Sequence, residues 1–163
     1  MIIVSDNSAL SCLAELGELD LLRQLYGTLV ITATVRQEAC HPIAPTALRE
    51  FVASSPSWLV ILPDVQPYLE ETNALDPGEA SAITIAWQNR ESSLLIIDEK
   101  RGRRVSSALG LMITGTAGVL TDAAAAGLVP FEEVFHRLAQ TQFRLSAAIV
   151  EELRQRYQSL PPL

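Results

Sequence analysis

The sequence contains little cysteine and no long apolar run. Its two cysteines, Cys12 and Cys40, lie far apart without a CxxC pair, which excludes a disulfide framework. No apolar run approaches the roughly 18 residues of a membrane span, and no charged segment followed by a long apolar one resembles a secretory signal. The sequence therefore predicts a soluble, cytoplasmic protein that does not enter a membrane.

Positive charge is also scarce. Lysine and arginine together number 12 against 19 aspartates and glutamates, which gives a net charge of −7. Proteins that bind duplex nucleic acid through a broad surface usually carry a basic domain. The composition excludes a binding surface of that kind, so any contact with nucleic acid must be local.

Several catalytic motifs are missing. The sequence has no P-loop, no G-x-S-x-G elbow and no G-x-G-x-x-G fingerprint, which argues against nucleotide binding and serine hydrolysis. Asp6-Asn-Ser8 lacks the second aspartate of a D-x-D phosphatase, and no strand-end aspartate has the lysine partner of a receiver-like domain. A small phosphotransfer enzyme is therefore disfavoured.

The length and apolar content fit one domain over residues 1–163, with 48% hydrophobic residues to fill its core. Short apolar runs alternate with helical segments, which favours a mainly parallel sheet in a three-layer α/β/α fold with the first strand at its centre. The predicted strands are Ile2–Ser5, Leu29–Ile31, Trp58–Leu62, Leu94–Ile97 and Leu111–Thr114.

Helical periodicity and capping residues predict the helices. They are Ser8–Leu16, Leu19–Tyr26, a helix that begins at Thr32 or Thr34 and contains Glu38, Pro45–Ser54, Asp76–Gln88, Glu99–Leu109, Val119–Ala126, Phe131–Ala139 and Ser146–Tyr157. Leu145, Ile149 and Leu153 form an apolar stripe on the last helix. The tail Leu160–Leu163 is predicted to fray.

Four carboxylates stand out. Asp6 and Asp98 each follow an apolar strand, and such strand ends are where open α/β sheets bind ligands. The acids therefore indicate a metal site. Each also has a structural interpretation: the aspartates can cap helices, Glu79 can complete a D-x-x-E capping box with Asp76, and Glu38 can be a solvated helix residue. The residues alone leave both interpretations open.

The order of short motifs resembles the PIN-domain nucleases, and more narrowly a branch related to VapC toxins. The resemblance spans nearly the whole chain and rests on Ser5-Asp-Asn-Ser8, Val35-Arg-Gln-Glu38, Leu75-Asp-Pro-Gly-Glu-Ala80, Leu95-Ile-Ile-Asp-Glu-Lys-Arg101 and Ile113-Thr-Gly-Thr-Ala-Gly-Val-Leu120. It implies that Asp6, Glu38, Glu79 and Asp98 converge as catalytic residues. Asp6, Glu79 and Asp98 would be the metal ligands, and Glu99 would assist.

Carboxylates held close together must share protons or bind a hard cation. Oxygen ligands favour Mg²⁺ or Mn²⁺ over zinc, and Cys40-His41 is not spaced as a zinc site. His41 and His136 are interpreted as structural or exposed. In the mechanism that the resemblance implies, the metal activates a water for in-line attack on a phosphodiester.

A basic cluster, Lys100-Arg101-Gly-Arg103-Arg104, follows Asp98 directly. It is interpreted as a phosphate clamp, with a solvated helix face as the open alternative. The resemblance places Arg101 and Arg104 beside the site.

The resemblance also implies Ser8, Thr114, Gly115 and Thr116 as polar or backbone contacts near the substrate. Two positions depart from the usual pattern: Asn7 replaces threonine, and Gly102 replaces alanine. The glycine is expected to weaken its helix by up to about 1 kcal/mol without touching a ligand.

The leading hypothesis is a metal-dependent ribonuclease that prefers single strands and is the toxin of a toxin–antitoxin pair. The resemblance further implies a homodimer and a small antitoxin that inserts into the active-site groove. The alternative is a catalytically inert PIN-like module that binds protein or RNA.

Overall fold

A computed structural model describes residues 1–160, and a parallel sheet of five strands lies at its centre. The strands are β1 (Ile2–Ser5), β2 (Leu29–Thr32), β3 (Leu59–Leu62), β4 (Ser93–Ile96) and β5 (Ile113–Thr114). Their order is β3-β2-β1-β4-β5, and Val4 of β1 pairs with Val30 on one side and Leu95 on the other. The prediction that the first strand is central is confirmed.

Helices connect these strands. They are α1 (Asn7–Leu16), α2 (Asp20–Tyr26), α3 (Ala33–Ala39), α4 (Thr46–Ser54), α5 (Pro77–Gln88), α6 (Lys100–Ala108), α7 (Thr116–Ala125), α8 (Phe131–Ala139) and α9 (Ala147–Ser159). Short 3₁₀ turns occur at Glu70–Thr72 and Arg90–Ser92. In the described range no helix is long and apolar enough to cross a membrane.

Alternating strand residues fill two cores, one on each face of the sheet. Ile3 joins a cluster with buried residues of α1 to α4, α7 and α8, whereas Val4 joins a cluster with α5 and partly buried residues of α6. The predicted three-layer α/β/α arrangement is therefore confirmed.

Helix α5 is buried on all sides. Each residue from Gly78 to Ala86 is buried, as expected of a helix that is apolar or small around its whole circumference. The first turn of this helix lies in the same region as the carboxyl ends of β1 and β2, and it therefore holds Glu79 rigidly.

Two C-terminal predictions need correction. Helix α7 begins at Thr116, a turn before the predicted Val119, because a distant carboxylate satisfies its first amide. Ile149 is not part of a buried stripe: its side chain is 44% exposed, and α9 packs through Val150, Leu153 and Tyr157 instead. The predicted fraying concerns Leu160–Leu163; Leu160 is the C-cap of α9, and residues 161–163 lie outside the described range.

Candidate metal centre

Asp6 lies immediately after β1 and caps α1. Its Oδ1 accepts a hydrogen bond from the Ala9 amide at 3.1 Å, so the capping interpretation is confirmed. The residue is only 1% exposed, and its Oδ2 is buried without a hydrogen-bond partner among the described residues. A buried carboxylate oxygen of this kind is destabilising unless a proton or a cation satisfies it.

Asp98 lies beyond β4. It caps α7, although the helix that follows it in the chain is α6. Its Oδ1 accepts from the Thr116 amide at 2.7 Å and its Oδ2 from the Thr116 hydroxyl at 2.6 Å. Burial raises the pKa of Asp98, and these hydrogen bonds and the nearby Arg103 oppose that rise. Thr116 thus fixes the orientation of Asp98, which does not cap α6.

Glu38 projects from α3 to the first turn of α5. Its Oε1 accepts from the Gly78 amide at 3.1 Å. Gly78 is required by this contact, because a Cβ at that position would lie 2.6 Å from the carboxyl carbon of Glu38. Asp76 makes no side-chain capping bond to the described residues, so the predicted D-x-x-E box is wrong and Glu38 caps α5 in its place.

Glu79 is 7% exposed. Its pKa is raised to about 7, first by burial and then by the charges of Glu99, Asp76 and Glu38. Gly102 lies against it: an ideal Cβ there would be 3.3 Å from Oε2 of Glu79 and 2.6 Å from Cδ1 of Ile97. Gly102 was expected only to weaken its helix; the structure adds that the absence of a side chain leaves room beside Glu79 and Ile97.

The predicted acids influence one another electrostatically. The pKa of Asp6 is raised to about 8, chiefly by burial, and the charges of Asp98, Glu79 and Glu38 add to the rise. Residues far apart in sequence are thus brought into one region at the carboxyl edge of the sheet. Their assigned roles remain predictions.

A cleft of about 470 Å³ opens beside these acids. It is lined by Asp6, Asn7, Ser8, Ser11, Glu38, His41, Ile43, Ala44, Pro45, Asp76, Pro77 and Glu79. Asp98 is not in this lining, although its charge acts on Asp6.

Sequence reasoning missed some of the lining residues. His41 follows Glu38 by three residues and Asp76 precedes Glu79 by three, so closeness in sequence to a predicted acid was the available signal, although His41 lies just beyond α3 and Asp76 just before α5. No comparable signal singles out Ser11.

The chemistry of the donors fits a hard divalent cation. Within residues 1–160, no three histidine, cysteine, aspartate or glutamate side chains are grouped closely enough to hold one ion together. Mg²⁺ usually takes only one or two protein carboxylates and completes its octahedron with waters and substrate phosphates. The unpartnered Oδ2 of Asp6 fits one such ligand position. Glu79 and Asp98, whose charges act on Asp6, fit a second position or contacts through the bound waters.

The basic cluster is only partly directed toward the acids. Arg101 is exposed, lines a small pocket of about 50 Å³ with Asp76, Glu79 and Glu99, and lowers the pKa of Glu79. Arg104 is exposed and makes no ion pair or hydrogen bond with an acid in the described part of the chain. Arg103, a member of the predicted phosphate clamp, donates to the Ile97 carbonyl at 2.8 Å beside Asp98.

The predicted hydroxyl contacts also differ in whether they face the cleft. Ser8 is exposed in the cleft. Thr114 is partly buried, and its hydroxyl lies where a Cβ on Gly118 would be. Thr116 is fully buried with both donors on Asp98, so it supports that acid, and its hydroxyl does not face the cleft.

Comparisons with known proteins bear on the family and the fold. A family model described as PIN domain matches residues 2–159. Among solved structures, the chain is similar to a PilT N-terminus domain protein from the hyperthermophilic archaeon Sulfolobus solfataricus P2. The TM-score is 0.54 at 17% identity, over 90% of this chain and 100% of that chain. At that identity the likeness shows the fold alone. The search of curated proteins finds no match.

Proposed function

The chain belongs to the PIN-domain family, whose members are generally nucleases, and from this premise we propose that it is a Mg²⁺- or Mn²⁺-dependent endoribonuclease. The observation that carries the proposal is the buried, unpartnered Oδ2 of Asp6 in the field of three further acids. A cluster of this kind is destabilising without a cation, and a divalent ion at a sheet edge is well suited to phosphodiester hydrolysis.

Each acid has a proposed role. Asp6, Glu79 and Asp98 would hold the cation together with its bound waters. Glu38, which accepts a hydrogen bond from the Gly78 amide, would contribute to catalysis. The bound cation supplies an activated water and stabilises negative charge on the reacting phosphate.

The polar residues around the acids have supporting roles. Thr116 holds Asp98 in place through two hydrogen bonds. Arg101 and Arg104 would attract the flanking phosphates, and the hydroxyls of Ser8 and Thr114 would donate to the substrate. Both arginines are exposed and therefore accessible to a nucleic acid.

The test is incubation of the purified protein with a mixed RNA pool in Mg²⁺, in Mn²⁺ and in EDTA. We expect cleavage of single-stranded RNA in both metals and none in EDTA. Cleavage that persists in EDTA would contradict metal dependence, and intact RNA under all three conditions would contradict the nuclease assignment.

We further propose that the nuclease is the toxin of a toxin–antitoxin pair and acts as a homodimer. Its cleft acids have no arginine partner at hydrogen-bonding distance within residues 1–160, so a basic segment of a small antitoxin would complement them. Induced expression should arrest growth, whereas the Asp98→Asn variant should not. Sizing of the purified protein tests the dimer.

The alternative function is an inert module that binds RNA or protein. The observation that favours it is the lack, within residues 1–160, of three acids grouped closely enough for one ion. RNA binding without cleavage in any metal would support this alternative.

A further inference from the structure

The lining of the cleft has two chemically unlike parts. One part consists of the acids Asp6, Glu38, Asp76 and Glu79, and the other comes from residues 41–45, the loop between α3 and α4. We call the second part the neutral wall; its lining side chains are His41, Ile43, Ala44 and Pro45. Ile43 is 88% exposed, which is unusual for a large apolar side chain beside an acidic site.

The ring of His41 is held within the neutral wall. The Ile43 amide donates to Nδ1 of His41 at 3.2 Å. When Nδ1 accepts in this way, the proton of the neutral ring is on Nε2, which can donate to a ligand. The wall therefore offers an apolar side chain, a flat ring and one donor.

Two further lining side chains are polar but uncharged. They are Ser8 and Ser11 of α1, and no lysine or arginine of residues 1–160 lines the cleft. Phosphate oxygens would find no cation here. A nucleobase, in contrast, has an apolar face suited to Ile43 and His41 and polar edges suited to the serines.

We propose that the neutral wall binds an unpaired nucleobase next to the scissile phosphate. The inference rests on the proposed ribonuclease function and adds a specificity element to it. A base in a duplex is stacked and paired, so it cannot turn into the cleft without first being extruded. The wall therefore makes the enzyme select single-stranded RNA at this position.

The test compares a wall variant, His41→Ala with Ile43→Ala, with a matched control, His136→Ala with Ile149→Ala. His136 and Ile149 are the same residue types, exposed and outside the cleft. In Mn²⁺ with a single-stranded oligonucleotide, we expect KM of the wall variant to rise about tenfold, with kcat nearly unchanged. The control should keep the wild-type KM, and both variants should melt like the wild type.

An abasic substrate identifies the ligand of the wall as a base. Removal of the base beside the mapped cleavage site should raise the wild-type KM about tenfold and leave KM of the wall variant unchanged, because both changes remove the same interaction. Independent, multiplicative effects would overturn the proposal. An unchanged KM in the wall variant, with a wild type that cleaves, would also overturn the proposal. That result would indicate that the wall contacts protein instead of a base. If the wild type neither cleaves nor binds RNA, the proposed function fails as well.

Discussion

The acids of the cleft and the acids of the α8–α9 surface have opposite environments. Glu132 on α8 accepts from Arg154 at 2.6 Å, and this bond lowers its pKa. Asp6 in the cleft is buried beside other acids, and its pKa is raised to about 8. The same chemical group is thus stabilised as an anion in one region and destabilised in the other.

The difference shows where the chain supplies its own counter-charge. Arg154 contacts both Glu132 and Glu151, so the surface acids are neutralised within the fold. From the described residues the cleft acids and Asp98 receive only amide and hydroxyl hydrogen bonds, such as those from Gly78 to Glu38 and from Thr116 to Asp98. A cation from solution would neutralise the cleft acids as Arg154 neutralises the surface acids.

Replacement of an acid at the carboxyl edge of the sheet should have the largest effect. We expect Asp98→Asn to lower Mn²⁺-dependent RNA cleavage by more than about 100-fold, since loss of an outer-shell partner alone typically costs about 10- to 100-fold. Glu132→Gln, the surface control, should cleave like the wild type. Equal cleavage by the two variants, measured on one RNA substrate, would remove the distinction between the regions.

The metal-free protein should be stabilised by Asp6→Asn. The pKa of Asp6 in the folded protein, about 8, exceeds its ordinary value of 3.8, so its stabilising contribution is complete below about pH 4 and is lost as the pH rises toward 8. At pH 8 in EDTA we expect the variant to melt at least about 4 °C above the wild type, because a rise of about four pKa units, at about 1.4 kcal/mol each, corresponds to several kcal/mol. The gain should vanish near pH 4. Thermal melts that show a lower Tm for the variant at pH 8 would contradict the account.

Loss of the hydroxyl that orients Asp98 should have a moderate effect. Thr116→Val keeps the amide bond but removes the donor to Oδ2, so Mn²⁺ affinity should fall about tenfold. Thr121→Val is the matched control, because Thr121 is also buried on α7 but donates to the Ala117 carbonyl. Calorimetric titration distinguishes the two variants, and similar losses in both would indicate a general packing defect.

The smallest effect should come from the arginines near the acids. Arg101→Ala with Arg104→Ala should weaken RNA binding several-fold and reduce the salt slope by about 0.7 for each phosphate that the protein no longer neutralises. Arg144→Ala with Arg156→Ala removes the same charge away from these acids, near α8 and α9. This control should therefore keep a steeper salt slope than the Arg101 and Arg104 double variant. Identical slopes for the two double variants would show that Arg101 and Arg104 act only through net charge.

Local sequence signals predicted most of the fold. The apolar runs located β1 to β5 to within about two residues, and Gly17 ends α1 with a positive φ of 72°, as a C-cap glycine should. Asp6 was predicted both as a cap and as a site residue; the capping role is confirmed, and the ligand role remains a prediction. These features depend on neighbours along the chain, which a single sequence displays.

The supports of the acids could not be read from the sequence. Glu38 bonds to Gly78 across 40 residues and Asp98 to Thr116 across 18, and no local pattern links either pair. Gly102 resembled a helix-weakening residue, but it provides space beside Glu79. Tertiary packing decides each of these contacts, so only the folded chain reveals them.

The most direct test of the central claim is a titration of Mn²⁺ into the metal-free protein, followed by its melting temperature. At a Mn²⁺ concentration near 100 times Kd, we expect a stabilisation of about 2.7 kcal/mol, or roughly 5–10 °C. The Asp98→Asn variant should show little of this rise. An unchanged melting temperature in the wild type, or an equal rise in both proteins, would contradict a cation site built from these acids.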